Sequence, residues 1–316
     1  MDFRRIMLFG ALGLVLAMLW QSWVQFQIDH DPANPAAVAN QSGQTAATSV
    51  ADDVPTAPAV VSDVPGTAVV AADTPSEPEV EMGGRLINVS TDLVNAKIST
   101  QGGNLVHLEL IKHPVSVESP DEPFVLMHQT NGALNVAQSG LIGSDREYPN
   151  HTVEFQSNQS DVTLDSNGEA KVVLVWTAPD GIVYQKIYTF RKDSYQIDVE
   201  FQVANNSATN WTGFLYGQLK QTEIRQEGSM GFLGRLPSYN GAAIYTAEEK
   251  YDKVDYSEIS DEPLNVSTTN GWVAMLQHYF VSAWLPQGSD SYQLYSGVSR
   301  NTVLPEYRIG FKQTQP

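Results

Sequence analysis

The stretch RLINVSTDLVNAKISTQGGNLVHLELI, residues 85–111, decides the fold class. Apolar and polar residues alternate along it with a period of two, which is the pattern of a half-buried β-strand. Gly102 and Gly103 interrupt the alternation, and a glycine pair between two alternating runs is typical of a hairpin turn. The stretch therefore predicts two antiparallel strands joined at Gly102-Gly103.

The same alternation continues downstream, for example through residues 151–207. Turn signals at Asn167-Gly168 and Asp180-Gly181 separate runs that are rich in Val, Tyr, Phe and Trp, the residues that favour strands. Residues 85–316 contain at least ten candidate strands, no long amphipathic helix and no repeat of solenoid or propeller period. The pattern predicts an all-β fold, a large antiparallel sandwich.

Upstream of this region, the chain begins with a segment typical of a membrane anchor. Arg4 and Arg5 precede an uncharged run of 21 residues from Ile6 to Phe26. As a helix this run would span about 30 Å, the thickness of one hydrocarbon core. Trp20 and Trp23 lie at its far end, where an interfacial aromatic belt is expected. We interpret residues 1–26 as a cytoplasmic tip followed by a transmembrane helix that contacts the lipid bilayer through residues 6–26.

A cleaved secretory signal is the alternative interpretation of this start. Cleavage needs small residues soon after the apolar run. Leu19, Trp20 and Trp23 are bulky, and the nearest Ala-x-Ala lies at 37–39. The sequence favours an anchor that is not cleaved.

Charge asymmetry predicts the orientation of this anchor. No Lys or Arg occurs between Arg5 and Arg85. Because positively charged flanks stay in the cytoplasm, the N-terminus is expected there and the main domain in the periplasm. Residues 27–84 are rich in Ala, Val and Pro, with nine acidic and no basic side chains. Such a segment buries too little apolar area to fold, so it is predicted to be a disordered linker.

Composition excludes several classes of function. The chain of 316 residues has no cysteine, which removes disulfides, thiolate metal sites and cysteine catalysis. Its formal charge of −18, from 18 basic and 36 acidic residues, repels a phosphate backbone, so nucleic acid is not an expected partner.

The most aromatic part of the domain is NGWVAMLQHYFVSAWLP, which begins at Asn270. It could be a ligand-binding surface, a membrane-seeking segment or part of the core. The run is too short and interrupted to span a bilayer, and it fits two core strands with a bend near Gln277-His278. We therefore predict that its four aromatic side chains belong to the core: Trp272, Tyr279, Phe280 and Trp284. A lone histidine in such a run, His278, is interpreted as structural.

Motifs for chemistry are absent or weak. There is no P-loop, no G-x-S-x-G and no H-E-x-x-H, and the glycines of GSMGFLG (228–234) lack a strand-to-helix context. The six histidines include no pair at metal-ligand spacing. Asp252, Asp255 and Glu258 could pair as acid and base, although charged, tyrosine-rich loops are mostly solvated surface. We predict no catalytic residue, no cofactor and no metal.

Several stretches, in this order, resemble the YidC membrane-protein insertases of Gram-negative bacteria. They are MDFRRIMLFGALGLVLAMLWQSW, VSTDLVNAKISTQGGNLVHLELIKHP, AQSGLIGSD, YGQLKQ, GAAIYTAEEKYDKVDY and NGWVAMLQHYFVSAWLP. The resemblance implies a super-β-sandwich similar to galactose mutarotase. It also implies a role in inserting and folding inner-membrane proteins, alone or with Sec translocon subunits. The implied partners are nascent inner-membrane proteins, and the implied location is the bacterial inner membrane.

In the family, further membrane helices follow this domain and carry the insertase core. The sequence stops at YRIGFKQTQP, so we expect a fragment that holds the anchor and the periplasmic interaction domain and is not an enzyme. The alternative function is an anchored carbohydrate-binding or mutarotase-like sugar-active protein, which fold similarity alone cannot establish.

Overall fold

The computed structural model describes residues 84–130, 133–223, 239–277, 279–288, 290–300 and 302–314. The predicted anchor, with Arg4, Arg5, Trp20 and Trp23, lies outside the described residues, as does the predicted linker up to residue 83. Within the described ranges, no helix combines the length and the apolar character that crossing a membrane requires.

The described chain is built from strands and one short helix. In the first half the strands are β1 (Leu86–Ser90), β2 (Val94–Ser99), β3 (Leu105–Ser116), β4 (Ser119–Thr130), β5 (Ala133–Ile142), β6 (Asp161–Thr163), β7 (Glu169–Thr177), β8 (Val183–Arg191) and β9 (Ile197–Ala204). In the second half they are β10 (Phe214–Thr222), β11 (Asn240–Thr246), β12 (Lys250–Val254), β13 (Asn265–Thr268), β14 (Trp272–Gln277), β15 (Phe280–Trp284), β16 (Tyr292–Ser299) and β17 (Glu306–Gln313). Helix α1 (Tyr256–Asp261) lies between β12 and β13. The all-β prediction is confirmed.

The strands form three sheets. A ten-stranded sheet has the order β13-β16-β17-β10-β5-β4-β3-β2-β1-β6, a four-stranded sheet the order β12-β11-β14-β15, and a three-stranded sheet the order β7-β8-β9. Among the described strands the pairs are antiparallel except for β1 and β6, which run parallel. The predicted hairpin at Gly102-Gly103 is the connection between β2 and β3, and both glycines have positive φ angles of 69° and 58°.

One hydrophobic core joins all three sheets. It contains Ile87 from β1, Val172 from β7, Ile244 from β11 and Ile309 from β17, all buried. On β10, Leu219 points into this core, whereas its neighbours Gln218 and Lys220 point to the opposite face of the ten-stranded sheet. The two smaller sheets therefore pack on the same side of the large sheet.

The prediction that Tyr279 belongs to the core is wrong. Its side chain is 83% exposed. Strands β14 and β15 pair as a hairpin in which Gln277 lies opposite Phe280, so only two residues connect them. Tyr279 is one of these two connecting residues, and a side chain in so tight a turn lies beyond the last paired residues of both strands.

Candidate functional site

The inner face of the β14–β15 hairpin is part of the inter-sheet packing. The indole N–H of Trp284 donates a 3.0 Å hydrogen bond to the carbonyl oxygen of Gln218 on β10. Its ring packs edge-on to Phe311, with centroids 6.3 Å apart, and lies over Gly217, where a Cβ atom would be 3.1 Å from the indole. Trp284 is half-buried and packs against the core. This side chain holds the four-stranded sheet against β10.

Phe280, the other inward-facing aromatic residue of β15, packs against the ten-stranded sheet at the opposite end of the strand. Phe280 stacks on Phe124 of β4, with ring centroids 4.3 Å apart, and His113 of β3 meets its edge at 5.6 Å. Phe280 is half-buried against the core. The two aromatic side chains of β15 are thus oriented inward by the alternation of the strand, and residues 281 and 283 are left outside.

Trp272 lies on the outer face of the four-stranded sheet instead. It pairs with Tyr245 across β11, and the two rings are stacked with centroids 6.0 Å apart and an interplanar angle of 13°. Tyr251 on β12 lies 6.2 Å from the same indole and is 50% exposed. Tyr239 covers Gly241 on this face, since a Cβ there would meet its ring. We call these four residues, Tyr239, Tyr245, Tyr251 and Trp272, the aromatic face.

Two lysines flank the aromatic face. The ammonium nitrogen of Lys253 lies 4.4 Å from the ring centroid of Tyr239, and that of Lys250 lies 5.9 Å from the ring of Tyr245. Burial raises the pKa of the Tyr239 hydroxyl above its ordinary value. Stacked Tyr and Trp rings with adjacent cations are the chemistry of protein-binding and sugar-binding surfaces.

Two of the three candidate acid and base residues, Asp255 and Glu258, stabilise the start of helix α1. Asp255 is the N-cap of α1 and Glu258 its third residue, and together they form a capping box. The Glu258 carboxylate accepts a 2.7 Å hydrogen bond from the backbone N–H of Asp255. Asp252 lies on β12 opposite Ile244. His278 and the glycine-rich segment 228–234 lie outside the described residues. Across the described part of the chain, no group of three or more acidic or histidine side chains is arranged to hold a metal ion.

A buried lysine is the group that the sequence reasoning missed. Lys186 on β8 is fully buried, and its ammonium nitrogen donates to the carbonyl oxygens of Gly102 at 3.1 Å and Ser139 at 2.9 Å. The neighbouring Tyr188 hydroxyl donates to the Gly103 carbonyl oxygen at 2.6 Å. Burial lowers the pKa of Lys186 to about 7. The signal was present in YQKIYTF, where Lys186 occupies the same face as the two tyrosines.

Lys186 therefore joins the three-stranded sheet to the β2–β3 turn and to β5. Its side chain is fully buried, so we interpret it as a packing residue. The outer side of the four-stranded sheet carries the aromatic face and the exposed side chains of β15.

The family model of the YidC periplasmic domain matches residues 86–316, which is most of the chain and all of the described sheets. The chain belongs to the YidC family. A relative named "Membrane protein insertase YidC" from Shewanella piezotolerans is 36% identical over 316 residues, covering 98% of this chain and 53% of the relative. A YidC relative of the same name from Methylococcus capsulatus is 36% identical over 307 residues, covering 96% of this chain and 53% of the relative. The chain spans about half the length of these relatives.

Solved structures show distant similarity to this YidC domain. A galactose mutarotase related enzyme from Lactobacillus acidophilus has a TM-score of 0.39 and 10% identity, covering 73% of this chain and 97% of that one. A putative aldose 1-epimerase from Escherichia coli K12 has a TM-score of 0.35 and 11% identity, covering 74% and 89%. Neither similarity is close enough to assign a fold family or an activity.

Proposed function

We propose that this chain is the membrane anchor and periplasmic interaction domain of a membrane protein insertase. The observation that carries the proposal is the match of the YidC periplasmic domain to residues 86–316. The insertase names of relatives that align along nearly the whole chain support it. The role is contact with other proteins during insertion, not catalysis of a reaction.

The proposed arrangement places the protein in the bacterial inner membrane. Residues 6–26 cross the bilayer, and Arg4 and Arg5 hold the N-terminus in the cytoplasm. Residues 27–84 are a disordered acidic linker. Residues 85–316 are a periplasmic super-β-sandwich of the galactose mutarotase kind, supported by a single core that joins one large sheet to two smaller ones.

The proposed contact surface is the aromatic face. Tyrosine and tryptophan are enriched where proteins bind one another, because each offers a large apolar area and a polar edge. The proposed partners are nascent inner-membrane proteins and Sec translocon subunits. Asp255 and Glu258 have a structural role as the capping box of α1.

The test uses the whole insertase in cells depleted of their own. A photo-crosslinking residue replaces Tyr251, which is 50% exposed on the aromatic face, or Val303, which is 84% exposed outside it and serves as the control. We expect crosslinks to nascent membrane proteins or Sec subunits from position 251 and few from position 303. Equal crosslinking from both positions would contradict the surface, and failure of the unmodified whole protein to rescue the cells would contradict the insertase role.

A second candidate function is carbohydrate binding, favoured by the flat stack of Trp272 on Tyr245, which suits the face of a sugar ring. This second candidate function is binding of a carbohydrate without its chemical conversion. Tyr251→Ala would then weaken binding to an immobilised glycan set, whereas Tyr195→Ala would not. Absence of glycan binding in the unmodified protein eliminates this candidate.

A further inference from the structure

Strand β15 is an open edge of the four-stranded sheet. Among the strands that the structure describes, it pairs with β14 alone, over five residues from Phe280 to Trp284. Its inward positions are occupied by Phe280, Ser282 and Trp284, and its outward positions by Val281 and Ala283, which are both exposed. Val281 is 54% exposed. The strand therefore presents one row of backbone N–H and C=O groups together with small apolar side chains.

Strand β15 itself carries neither the charges nor the prolines that usually protect a sheet edge. Natural edge strands use charges, prolines or bulges to prevent pairing with another chain. From Tyr279 to Gly288 there is no charged residue, and the single proline, Pro286, lies after the strand.

The other edges of the described sheets differ from β15. Charged residues occur on β12 (Lys250–Val254), on β7 (Glu169–Thr177) and on β9 (Ile197–Ala204). Strand β6 has three residues including an aspartate, and β13 is a short polar strand of sequence NVST. The uncharged, apolar edge is thus confined to β15, which indicates that pairing there is tolerated or used.

The edge is held rigidly from the inside. The Trp284 indole is hydrogen bonded to β10, and the Phe280 ring is stacked on β4. These two anchors lie at the two ends of the five-residue strand. A preorganised edge loses little conformational entropy when another strand adds to it, so even a short pairing can be productive.

The length of β15 favours an incoming extended chain over a second copy as the occupant. Five residues at about 3.4 Å each make an edge of about 17 Å. Pairing along this edge alone would bury far less than the roughly 1,200 Å² that a stable dimer needs. An extended segment that is already held nearby at high effective concentration needs only a weak and reversible contact.

We propose that β15 binds an extended, uncharged segment of an incoming polypeptide by β-strand addition. The inference rests on the proposed function in one respect, that the incoming polypeptide is a nascent membrane protein. Main-chain hydrogen bonds to β15 supply affinity without sequence specificity, and Val281 and the exposed Leu285 contact alternate side chains of the added strand. This mode suits a domain that meets many different sequences.

The experiment uses the full 316-residue chain in detergent micelles and a labelled synthetic peptide. The peptide contains four Thr-Val repeats flanked by one Glu and one Lys, so that its net charge is zero. Fluorescence anisotropy measures binding, and hydrogen exchange measures protection of residues 280–284. We expect Val281→Lys and Ala283→Lys to weaken binding about tenfold or more, because a lysine on the edge opposes pairing. Val303→Lys, at a side chain that is 84% exposed elsewhere, is the control and should bind normally.

Three results of the binding and exchange measurements would overturn the proposal. They are no binding by the unmodified chain, equal binding by Val281→Lys with circular dichroism unchanged, and protection that appears outside 280–284. A dimer in sedimentation that Val281→Lys separates would also overturn it, by assigning the edge to self-association. Because the peptide is synthetic, this assay measures binding to β15 without requiring insertase activity. Its outcome is therefore independent of the depletion experiment that tests the insertase role.

Discussion

At the scale of single residues, Lys186 shows how this fold uses a buried cation. Its nitrogen is bound by two carbonyl oxygens and has two aromatic rings, Tyr188 and Phe201, within 5.6 Å of it. These contacts favour the charged form, whereas burial disfavours it and lowers the pKa from 10.5 to about 7. Loss of hydration is thus the larger effect on this lysine.

Lys186 should make stability depend on pH. Between pH 7 and 10.5 the unfolded chain binds a proton at this lysine that the folded chain does not, so stability rises with pH in that window. Below pH 7 the penalty for burying the charge is fully present. We expect the free energy of unfolding of Lys186→Met, relative to the unmodified chain, to fall between pH 7 and pH 9 in urea titrations. Lys171→Met, at an exposed lysine on β7, is the control. If the free energy of unfolding of Lys186→Met varied with pH in the same way as that of the unmodified chain, the prediction would be contradicted.

The two tryptophans of the β14–β15 hairpin should differ in their effect on stability. Trp284 packs between sheets and donates a hydrogen bond to Gln218, so Trp284→Ala should cost about 3 kcal/mol. Trp272 packs on the outer aromatic face, and Trp272→Ala should cost about 1 kcal/mol. Urea unfolding of both variants checks this order. A larger loss for Trp272→Ala would show that the aromatic face is part of the core.

At the scale of elements, the β2–β3 turn is the best example of local sequence and tertiary contact acting together. Gly102 and Gly103 both adopt left-handed backbone conformations that favour glycine. The same turn supplies carbonyl oxygens to Lys186 and to Tyr188. A turn predicted from two glycines is thus also the contact point of the three-stranded sheet.

Alanine substitutions at Gly102 in this turn and at Gly181 between β7 and β8 separate backbone strain from steric clash. A Cβ at Gly102 would clash with the carbonyl group of His151, whereas a Cβ at Gly181, which also has a positive φ of 85°, would meet nothing within 4 Å. Gly181→Ala should therefore cost only the left-handed strain, about 1–2 kcal/mol. Gly102→Ala should cost clearly more, or prevent folding. Equal losses in urea unfolding would refute the role of the clash.

At the scale of the whole molecule, the matched domain is one layer of ten strands against two smaller sheets that share a core. The aromatic face lies on the outer side of the four-stranded sheet, and β15, next to β14, is an edge of the same sheet. Both proposed contacts of this domain therefore belong to one small sheet.

The predicted topology can be tested in cells. The asymmetry of Arg4 and Arg5 against a linker without Lys or Arg predicts that residue 60 is in the periplasm. A reporter that is active only in the periplasm, fused after residue 60, should be active, and one that is active only in the cytoplasm should be silent. The reverse pattern would invert the proposed orientation.

The sequence by itself determined the all-β class, the turns at Gly102-Gly103, Asn167-Gly168 and Asp180-Gly181, and two adjacent strands within 270–286. These features follow from alternation and from backbone conformations that glycine favours, both of which are local. The tertiary structure alone decided which side of each strand is inside. Alternation separates Trp272 from Trp284 onto opposite faces of one hairpin, but only the packing of that hairpin on β10 makes the face of Trp284 the inner one. Pairing also left β15 at an edge and joined β1 to β6 in parallel across more than seventy residues, because such contacts depend on which distant strands bury the most apolar area together.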